Sequence, residues 1–224
     1  MSRAVAIFGG TFNPIHLGHL RAAEEIREAA GLDEVRFVPA ALPPHKDPAS
    51  VDLAPARHRQ RMVELAVAGV PQFRAWPVEV ERAGTSYSID TVRALRAELP
   101  AETRVALMLG WDAFADVQTW KEFEDIFGLC DLLVFSRPPD VPAPGETALP
   151  VAAAQAFRYD PTIGAFRHSS GHRLTMHRVT SFAISATDVR RRLAAGRSIR
   201  FLVPDAVEAY VRRHGLYGAR PSDS

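Results

Sequence analysis

The chain has 224 residues, of which 47% are hydrophobic and 24% charged, and its formal net charge is +1. This composition excludes a largely disordered protein, and the near-neutral charge gives no support for nucleic-acid binding. No stretch approaches the roughly 20 apolar residues of a membrane span, and the apolar run near the start is too short for a signal peptide. We therefore expect a cytoplasmic protein that binds neither a membrane nor a nucleic acid.

Short apolar runs alternate with helically spaced segments along the first part of the chain. The predicted strands lie at 4–8, 35–38, 73–80, 104–109 and 132–135, and the predicted helices at 17–30, 55–70, 88–99 and 121–129. A strand, a glycine turn, a helix and a second strand form a βαβ unit, whose two strands are parallel. The continued alternation predicts an α/β fold with a Rossmann-like doubly wound parallel sheet.

The remainder of the chain is harder to interpret. Residues 138–150 carry five prolines and predict a connector, and the stretch from there to His172 predicts no element. Two helices are predicted at 185–195 and 204–214, and the apolar face of the second makes His214 a packing or capping residue.

We expect a single domain over 1–218, with a small C-terminal helical part at about 184–217 and a disordered tail at 219–224. Cys130 is the only cysteine, which excludes an internal disulfide, and its apolar surroundings predict a buried, unreactive thiol. No cysteine or histidine spacing is typical of a structural metal site.

The segment Gly9–His19 is the most informative part of the sequence, because it follows the first strand of a parallel sheet and begins a helix. Ligands bind in that crevice, where glycines let backbone N–H groups approach a phosphate and the helix dipole favours negative charge. The segment is neither a P-loop nor a dinucleotide-binding GxGxxG turn.

His16 and His19 are three residues apart at the helix start and therefore share a face beside the anion site. Gly18 between them leaves room for a ligand close to the backbone. Two imidazoles beside N–H donors suit a phosphoryl-transfer transition state, in which charge grows on the non-bridging oxygens. The alternative is an ordinary helix N-terminus carrying two capping histidines.

This segment resembles the signature of the HxGH nucleotidyltransferase superfamily, whose members transfer a nucleotidyl group from ATP or CTP to a phosphate. The resemblance implies that His16 and His19 are catalytic, contacting the ATP phosphates and stabilising the α-phosphate during transfer. It also implies ATP binding by the residues of the turn itself, namely Gly9, Gly10, Thr11 and Phe12.

The segment from Ile184 to Arg190 begins a helix with Ser185 and Asp188 in the register of a capping box. By itself it is an ordinary N-cap. It is similar to the ISSTxIR motif of bacterial nicotinate-nucleotide adenylyltransferases, which grips the triphosphate. Ser185, Thr187 and Arg190 match that motif, and Ala186 stands where a second serine is usual.

Further short segments resemble the same family and predict the acceptor site. They match its PPHK element, the TSY element at the nicotinate end, an aspartate for ribose hydroxyls, a tryptophan that stacks on the pyridine ring, and an RPG element. The residues implied in substrate binding are His45, Lys46, Thr85, Tyr87, Asp112, Trp120 and Arg137. An aromatic platform suits a flat, electron-poor pyridinium.

The resemblance implies a nicotinate-nucleotide adenylyltransferase, which joins ATP to nicotinate mononucleotide in NAD biosynthesis, with Mg²⁺ arriving on ATP and no metal site built from the protein alone. Phosphopantetheine and nicotinamide mononucleotide remain alternative acceptors, and a catalytically inactive nucleotide-binding regulator remains an alternative function. Four positions depart from the family pattern: Asn13, Trp111, Pro139 and Ala186. The sequence leaves homo-oligomerisation open.

Overall fold

The computed structural model describes residues 3–43, 53–82, 84–136, 149–180 and 182–219. Within these ranges, strands and helices alternate as an α/β fold with a mostly parallel sheet. The strands are β1 (Ala4–Gly10), β2 (Glu34–Pro39), β3 (Phe73–Ala75), β4 (Arg104–Gly110), β5 (Asp131–Ser136), β6 (Phe157–Asp160), β7 (Ala165–His168) and β8 (Arg173–Arg178). Their order in the sheet is β3-β2-β1-β4-β5-β8-β7-β6.

Helices follow most of these strands, as the sequence pattern predicts. They are α1 (Leu17–Ala29), α2 (Ala56–Val67), α3 (Val78–Arg82), α4 (Ser88–Glu98), α5 (Trp111–Ala115), α6 (Phe123–Leu129), α7 (Val151–Ala156), α8 (Ala186–Ala194) and α9 (Asp205–Arg213). The predicted Rossmann-like α/β class is therefore confirmed. No helix in the described ranges is long and apolar enough to cross a membrane.

One sequence prediction was wrong, and one stretch for which the sequence predicted no element forms strands. The stretch 73–80 was predicted to be extended throughout, but only β3 is a strand, and α3 begins at Val78. Residues 157–178, which gave no prediction, form an antiparallel extension in which β6 pairs with β7 and β7 with β8. The side chain of Asp160 accepts a hydrogen bond from Thr162 N–H at 3.0 Å, and this Asx turn reverses the chain within the β6–β7 hairpin.

The described chain divides into two compact units that alternate along the sequence. The first comprises Met1–Gly9, Glu24–Arg36 and Tyr87–Ser181, and the second Gly10–Ala23, Phe37–Ser86 and Phe182–Ser224. The predicted connector at 138–150 and the predicted tail at 219–224 lie mostly outside the described residues.

In the first unit, parallel pairing joins β1 to β4, β4 to β5 and β5 to β8. Their central residues are apolar and buried on both faces, as a parallel sheet covered by helices requires. The Cys130 thiol lies just before β5 and is fully buried, and this burial raises its pKa to about 12. The predicted inert thiol is confirmed.

An acidic side chain, Asp131, is the first residue of β5 and directly follows Cys130. Burial would raise the pKa of Asp131, but hydrogen bonds from His172 and from the backbone N–H of Arg173 outweigh that effect and lower it. Arg104, 3.8 Å away, acts in the same direction. This ionised carboxylate ties the starts of β4, β5 and β8 together.

Candidate active site

The two histidines of the first motif lie against each other in the second unit. Their ring centroids are 3.6 Å apart with an interplanar angle of 25°, and His16 is only 2% exposed. The backbone N–H of His16 donates to Nδ1 of His19 at 3.2 Å. Because Nδ1 of His19 is thereby an acceptor, a proton on the neutral ring sits on Nε2.

Gly18 is required by the position of the first histidine. A Cβ atom added at Gly18 would lie 3.1 Å from Nδ1 of His16 and 3.2 Å from its Cε1. Few side-chain contacts are that short, so any larger residue must displace the imidazole. Gly18 therefore makes room for the His16 ring, and the prediction that it leaves room for a ligand stays a prediction.

The phenyl ring of Phe12 also contributes to the position of the histidine pair. It is buried and packs edge-to-face on His19, with centroids 5.2 Å apart. Its backbone is left-handed, with φ of 48°, an uncommon conformation for a bulky residue. A Cβ at Gly10 would lie 3.0 Å from the Phe12 ring, so glycine at this position is what lets the phenyl group fold back.

The first turn of α1 is bonded within the protein more fully than the sequence suggests. The N–H of Leu17 donates to the carbonyl of Leu202 at 2.9 Å, and the N–H of His19 donates to the carbonyl of His16 at 2.9 Å. These donors are therefore occupied, and the anion-binding capacity predicted for this helix start falls on the remaining N–H groups and the histidines.

The second motif meets the first within the same unit. Ser185 caps α8 by accepting a hydrogen bond from Asp188 N–H at 3.1 Å. The capping box is one-sided, because the Asp188 carboxylate accepts a hydrogen bond from Arg192 at 2.8 Å. Arg190 reaches the first motif and donates to the carbonyl of Asn13 at 2.9 Å, while its Nε is buried with no hydrogen-bond partner among the described residues.

Asn13 is the buried junction of this region. It is 4% exposed, and its Oδ1 accepts hydrogen bonds from the Tyr217 hydroxyl at 2.7 Å and from Ala54 N–H at 3.1 Å. The peptide bond between Asn13 and Pro14 is cis. An amide oxygen serves both donors as a carboxylate oxygen would, which is why asparagine fits where the family pattern has aspartate.

Arg59 is a functional candidate that sequence reasoning missed. Its guanidinium is buried, which lowers its pKa, and it donates to backbone carbonyls of three loop segments. The acceptors are the oxygens of Ala54 at 2.9 Å, Thr11 at 2.8 Å, Ala40 at 2.6 Å and Ala41 at 3.0 Å. The signal was present, since an arginine occupies the apolar face of α2 defined by Met62, Val63 and Ala66.

The predicted acceptor residues do not all belong to the unit that contains the two histidines. Thr85 lies in the second unit, where its backbone forms a bridge with Leu42. Tyr87, Asp112 and Trp120 lie in the first unit, with Asp112 exposed and the two aromatic residues half-buried. His45, Lys46 and Arg137 lie outside the described residues, as does Pro139.

Lys121 lies over the ring of Tyr87, one of the predicted acceptor residues. The Nζ of Lys121 lies 5.0 Å from the centroid of the Tyr87 ring and 3.4 Å from a carboxylate oxygen of Asp90. Lys121 directly follows Trp120 in the chain, and we refer to Tyr87, Trp120 and Lys121 together as the acceptor cluster. Trp111 is one of the four positions that depart from the family pattern. Its indole packs on Phe114 within the first unit, with ring centroids 5.9 Å apart.

Comparison with known proteins identifies relatives over almost the whole chain. Residues 7–192 match a family described as cytidylyltransferase-like. A Pseudomonas fluorescens protein named "Probable nicotinate-nucleotide adenylyltransferase" is 44% identical over 219 residues, which cover 98% of this chain and 99% of the relative. A Geobacter protein of the same name is 46% identical over 213 residues, covering 95% of this chain and 97% of the relative.

Solved structures share the fold. Nicotinic acid mononucleotide adenylyltransferase from Plasmodium falciparum, complexed with NaAD, superposes with a TM-score of 0.70 over 97% of this chain and 98% of that one. The two sequences are 16% identical, so this likeness concerns the fold alone.

Proposed function

Because the chain belongs to the cytidylyltransferase-like family, and within it to the nicotinate-nucleotide adenylyltransferases, we propose that it transfers the adenylyl group of ATP to nicotinate mononucleotide. A phosphate oxygen of the acceptor forms a bond to the α-phosphorus of ATP. The bond from that phosphorus to the oxygen bridging to the β-phosphate breaks, and pyrophosphate leaves. The product is nicotinate adenine dinucleotide, an intermediate of NAD biosynthesis.

The observation that carries this proposal is the stacked pair of His16 and His19 at the start of α1, directly after β1. The two imidazoles stabilise the α-phosphate, on whose non-bridging oxygens charge grows during transfer. The acceptor phosphate is already a nucleophile, so the reaction needs no general base. Gly9, Gly10, Thr11 and Phe12 position the phosphate chain, and positioning supplies much of the acceleration.

The start of α8 binds the β- and γ-phosphates in this proposal. Ser185 and Thr187 present hydroxyl groups, and Arg190 supplies a fixed positive charge. The contact of Arg190 with the carbonyl of Asn13 supports the assignment, because it brings the two phosphate-binding segments together within one compact unit.

The acceptor is bound by His45, Lys46, Thr85, Tyr87, Asp112, Trp120 and Arg137. Trp120 stacks on the pyridine ring, and Asp112 accepts hydrogen bonds from ribose hydroxyls. The half-buried indole and the exposed carboxylate support these roles, since each side chain is accessible to a small ligand.

Mg²⁺ enters with ATP and is held by phosphate oxygens and water, the usual coordination of this ion in nucleotide enzymes. The described residues contain no group of three or more His, Cys, Asp or Glu that could hold a metal ion. When bound, the ion neutralises charge on the leaving pyrophosphate. The proposal places the enzyme in the cytoplasm, where ATP and pyridine nucleotides are available, and leaves homo-oligomerisation to be measured.

The test is pyrophosphate release from Mg-ATP, with nicotinate mononucleotide, nicotinamide mononucleotide and phosphopantetheine offered separately. We expect release with the nicotinate compound at a kcat/KM at least tenfold above that of either alternative. Preference for another acceptor would overturn the assignments of Thr85, Tyr87 and Trp120. ATP binding without release in any of the three reactions would identify an inactive nucleotide-binding regulator.

A further inference from the structure

A hydrogen bond joins the phosphate-binding turn to Tyr217, close to the end of the described part of the chain. The Tyr217 hydroxyl donates to Oδ1 of Asn13 at 2.7 Å, and Asn13 lies between Phe12 and the His16–His19 pair in the turn. Tyr217 has a left-handed backbone with φ of 58°, within a short 3₁₀ turn that follows α9. A non-glycine residue in this conformation is strained, and the strain is tolerated where contacts hold it.

Two arginines flank the same junction. Arg190 donates to the carbonyl of Asn13 at 2.9 Å, and Arg59 donates to the carbonyl of Thr11 at 2.8 Å. The turn is therefore held by its main-chain oxygens on both sides of Phe12 and by the side chain of Asn13. Burial raises the pKa of the Tyr217 hydroxyl despite both guanidinium groups, so the phenol remains a hydrogen-bond donor at neutral pH.

We propose that Tyr217 is a positioning residue for adenylyl transfer, which holds Asn13 and thereby keeps the turn in the conformation that accepts the ATP triphosphate. The inference rests on the proposed function. In the absence of the Tyr217–Asn13 bond, the turn samples other conformations, and only the competent fraction binds ATP. Apparent ATP affinity then falls by the inverse of that fraction, while bound ATP restores the geometry of the histidines.

The experiment compares Tyr217→Phe with the wild-type chain and with Tyr210→Phe as a matched control. Tyr210 lies on the same C-terminal segment, but its hydroxyl bonds Nδ1 of His58 at 2.9 Å and not the turn. For Tyr217→Phe we expect the KM for ATP to rise about 5- to 30-fold, the range that one lost buried hydrogen bond corresponds to. We expect kcat and the KM for nicotinate mononucleotide to stay within twofold, and the control to match wild type throughout.

The split between the two KM values separates positioning from a merely structural role. A structural role would lower the melting temperature and the active fraction, and hence the apparent kcat, with no preference between substrates. Equal KM values for ATP in folded Tyr217→Phe and wild type would overturn the proposal. Asn13→Ala provides a second route, because it should reproduce the rise, and the double variant should show no further rise.

Binding of α,β-methylene ATP, measured by calorimetry, distinguishes failure of this inference from failure of the proposed function. The analogue cannot transfer its adenylyl group, so its Kd reports nucleotide binding without the chemical step. A Kd raised 5- to 30-fold in Tyr217→Phe supports the positioning role whichever acceptor the enzyme prefers. An unchanged Kd contradicts that role even if the wild-type enzyme is fully active with nicotinate mononucleotide.

Discussion

The phosphate-binding turn and the acceptor cluster around Trp120 differ in how tightly the protein holds them. Asn13 and His16 in the turn are at most 4% exposed. Hydrogen bonds from Arg59 and Arg190 hold the main chain of the turn, and one from Tyr217 holds the side chain of Asn13. Around Trp120 the aromatic residues are half-buried, and Lys121 is held by long, partly exposed ion pairs. Such surface pairs contribute little to rigidity.

This difference indicates that the turn and the acceptor cluster have separate roles in the proposed reaction. Charge stabilisation in a transition state depends on donors that are already in place before the reaction. Recognition of an acceptor ring tolerates some adjustment, because stacking is governed by contact area more than by exact angles. Loss or displacement of a histidine of the turn should therefore lower kcat, loss of the contacts that hold the turn should raise the KM for ATP, and changes in the acceptor cluster should raise the KM for the acceptor.

The largest effect is expected for His16→Ala. Loss of the stacked imidazole removes a preorganised group beside the transferring phosphate, so kcat should fall about 100- to 1,000-fold. Pyrophosphate release at saturating substrates measures this, with circular dichroism to verify folding. His58→Ala, on α2, serves as the histidine control. Near-native turnover in folded His16→Ala would mean that the pair is only a helix cap.

Gly18→Ala should act on the same imidazole without removing it. Because the new Cβ would lie 3.1 Å from Nδ1 of His16, the ring must shift, and we expect kcat to fall about 10- to 100-fold. Gly128→Ala in α6 is the control, since a Cβ there meets no atom within 4 Å. If Gly18→Ala turned over like the control, His16 would not need its observed position.

Trp120→Ala should separate the acceptor cluster from the turn. Loss of the aromatic platform should raise the KM for nicotinate mononucleotide about tenfold, the effect of one stacking contact. Trp120→Phe should retain most of the affinity, and the KM for ATP should change less than twofold in both variants. A large fall in kcat with an unchanged acceptor KM would break the comparison.

The smallest effect is expected at the amino end of β5, in Asp131→Asn. The pKa of Asp131 is lower in the folded than in the unfolded protein, so its contribution to stability is present above about pH 4 and disappears as pH falls through the folded-state pKa. The variant should lose on the order of 1 kcal/mol at pH 7, and this loss should shrink as pH falls below about 4. Urea unfolding at several pH values measures this, and kcat should stay unchanged.

The sequence predicts the parts of this molecule where each signal is local. Apolar runs ending at glycine predict β1 and β4 to within two residues, and Ser185 marks the start of α8. It misses β6 to β8, because the burial of these strands does not alternate cleanly and their pairing depends on neighbouring strands. For the candidate site, the sequence predicts which residues take part. It does not predict the hydrogen bonds that hold the phosphate-binding turn in place.

Arg59 and Tyr217 illustrate why the hydrogen bonds that hold the turn were not predicted. Each acts on residues far away in sequence, since Arg59 bonds the carbonyl of Thr11 and Tyr217 the side chain of Asn13. An arginine on the apolar face of a helix and a tyrosine near a chain end have many ordinary explanations. Only the fold shows that both contact the same turn.

The order in which the units alternate has a consequence during protein synthesis. The unit that contains the turn is completed only by Phe182–Ser224, which is synthesised after all of the first unit. Until then, neither Arg190 nor Tyr217 is available to hold Asn13, so a nascent chain carries both histidines without a settled turn. Contacts this distant in sequence form slowly. The ATP-binding capacity of this enzyme should therefore appear only after that stretch has been synthesised, and a ribosome-bound chain arrested before residue 182 should bind no ATP analogue.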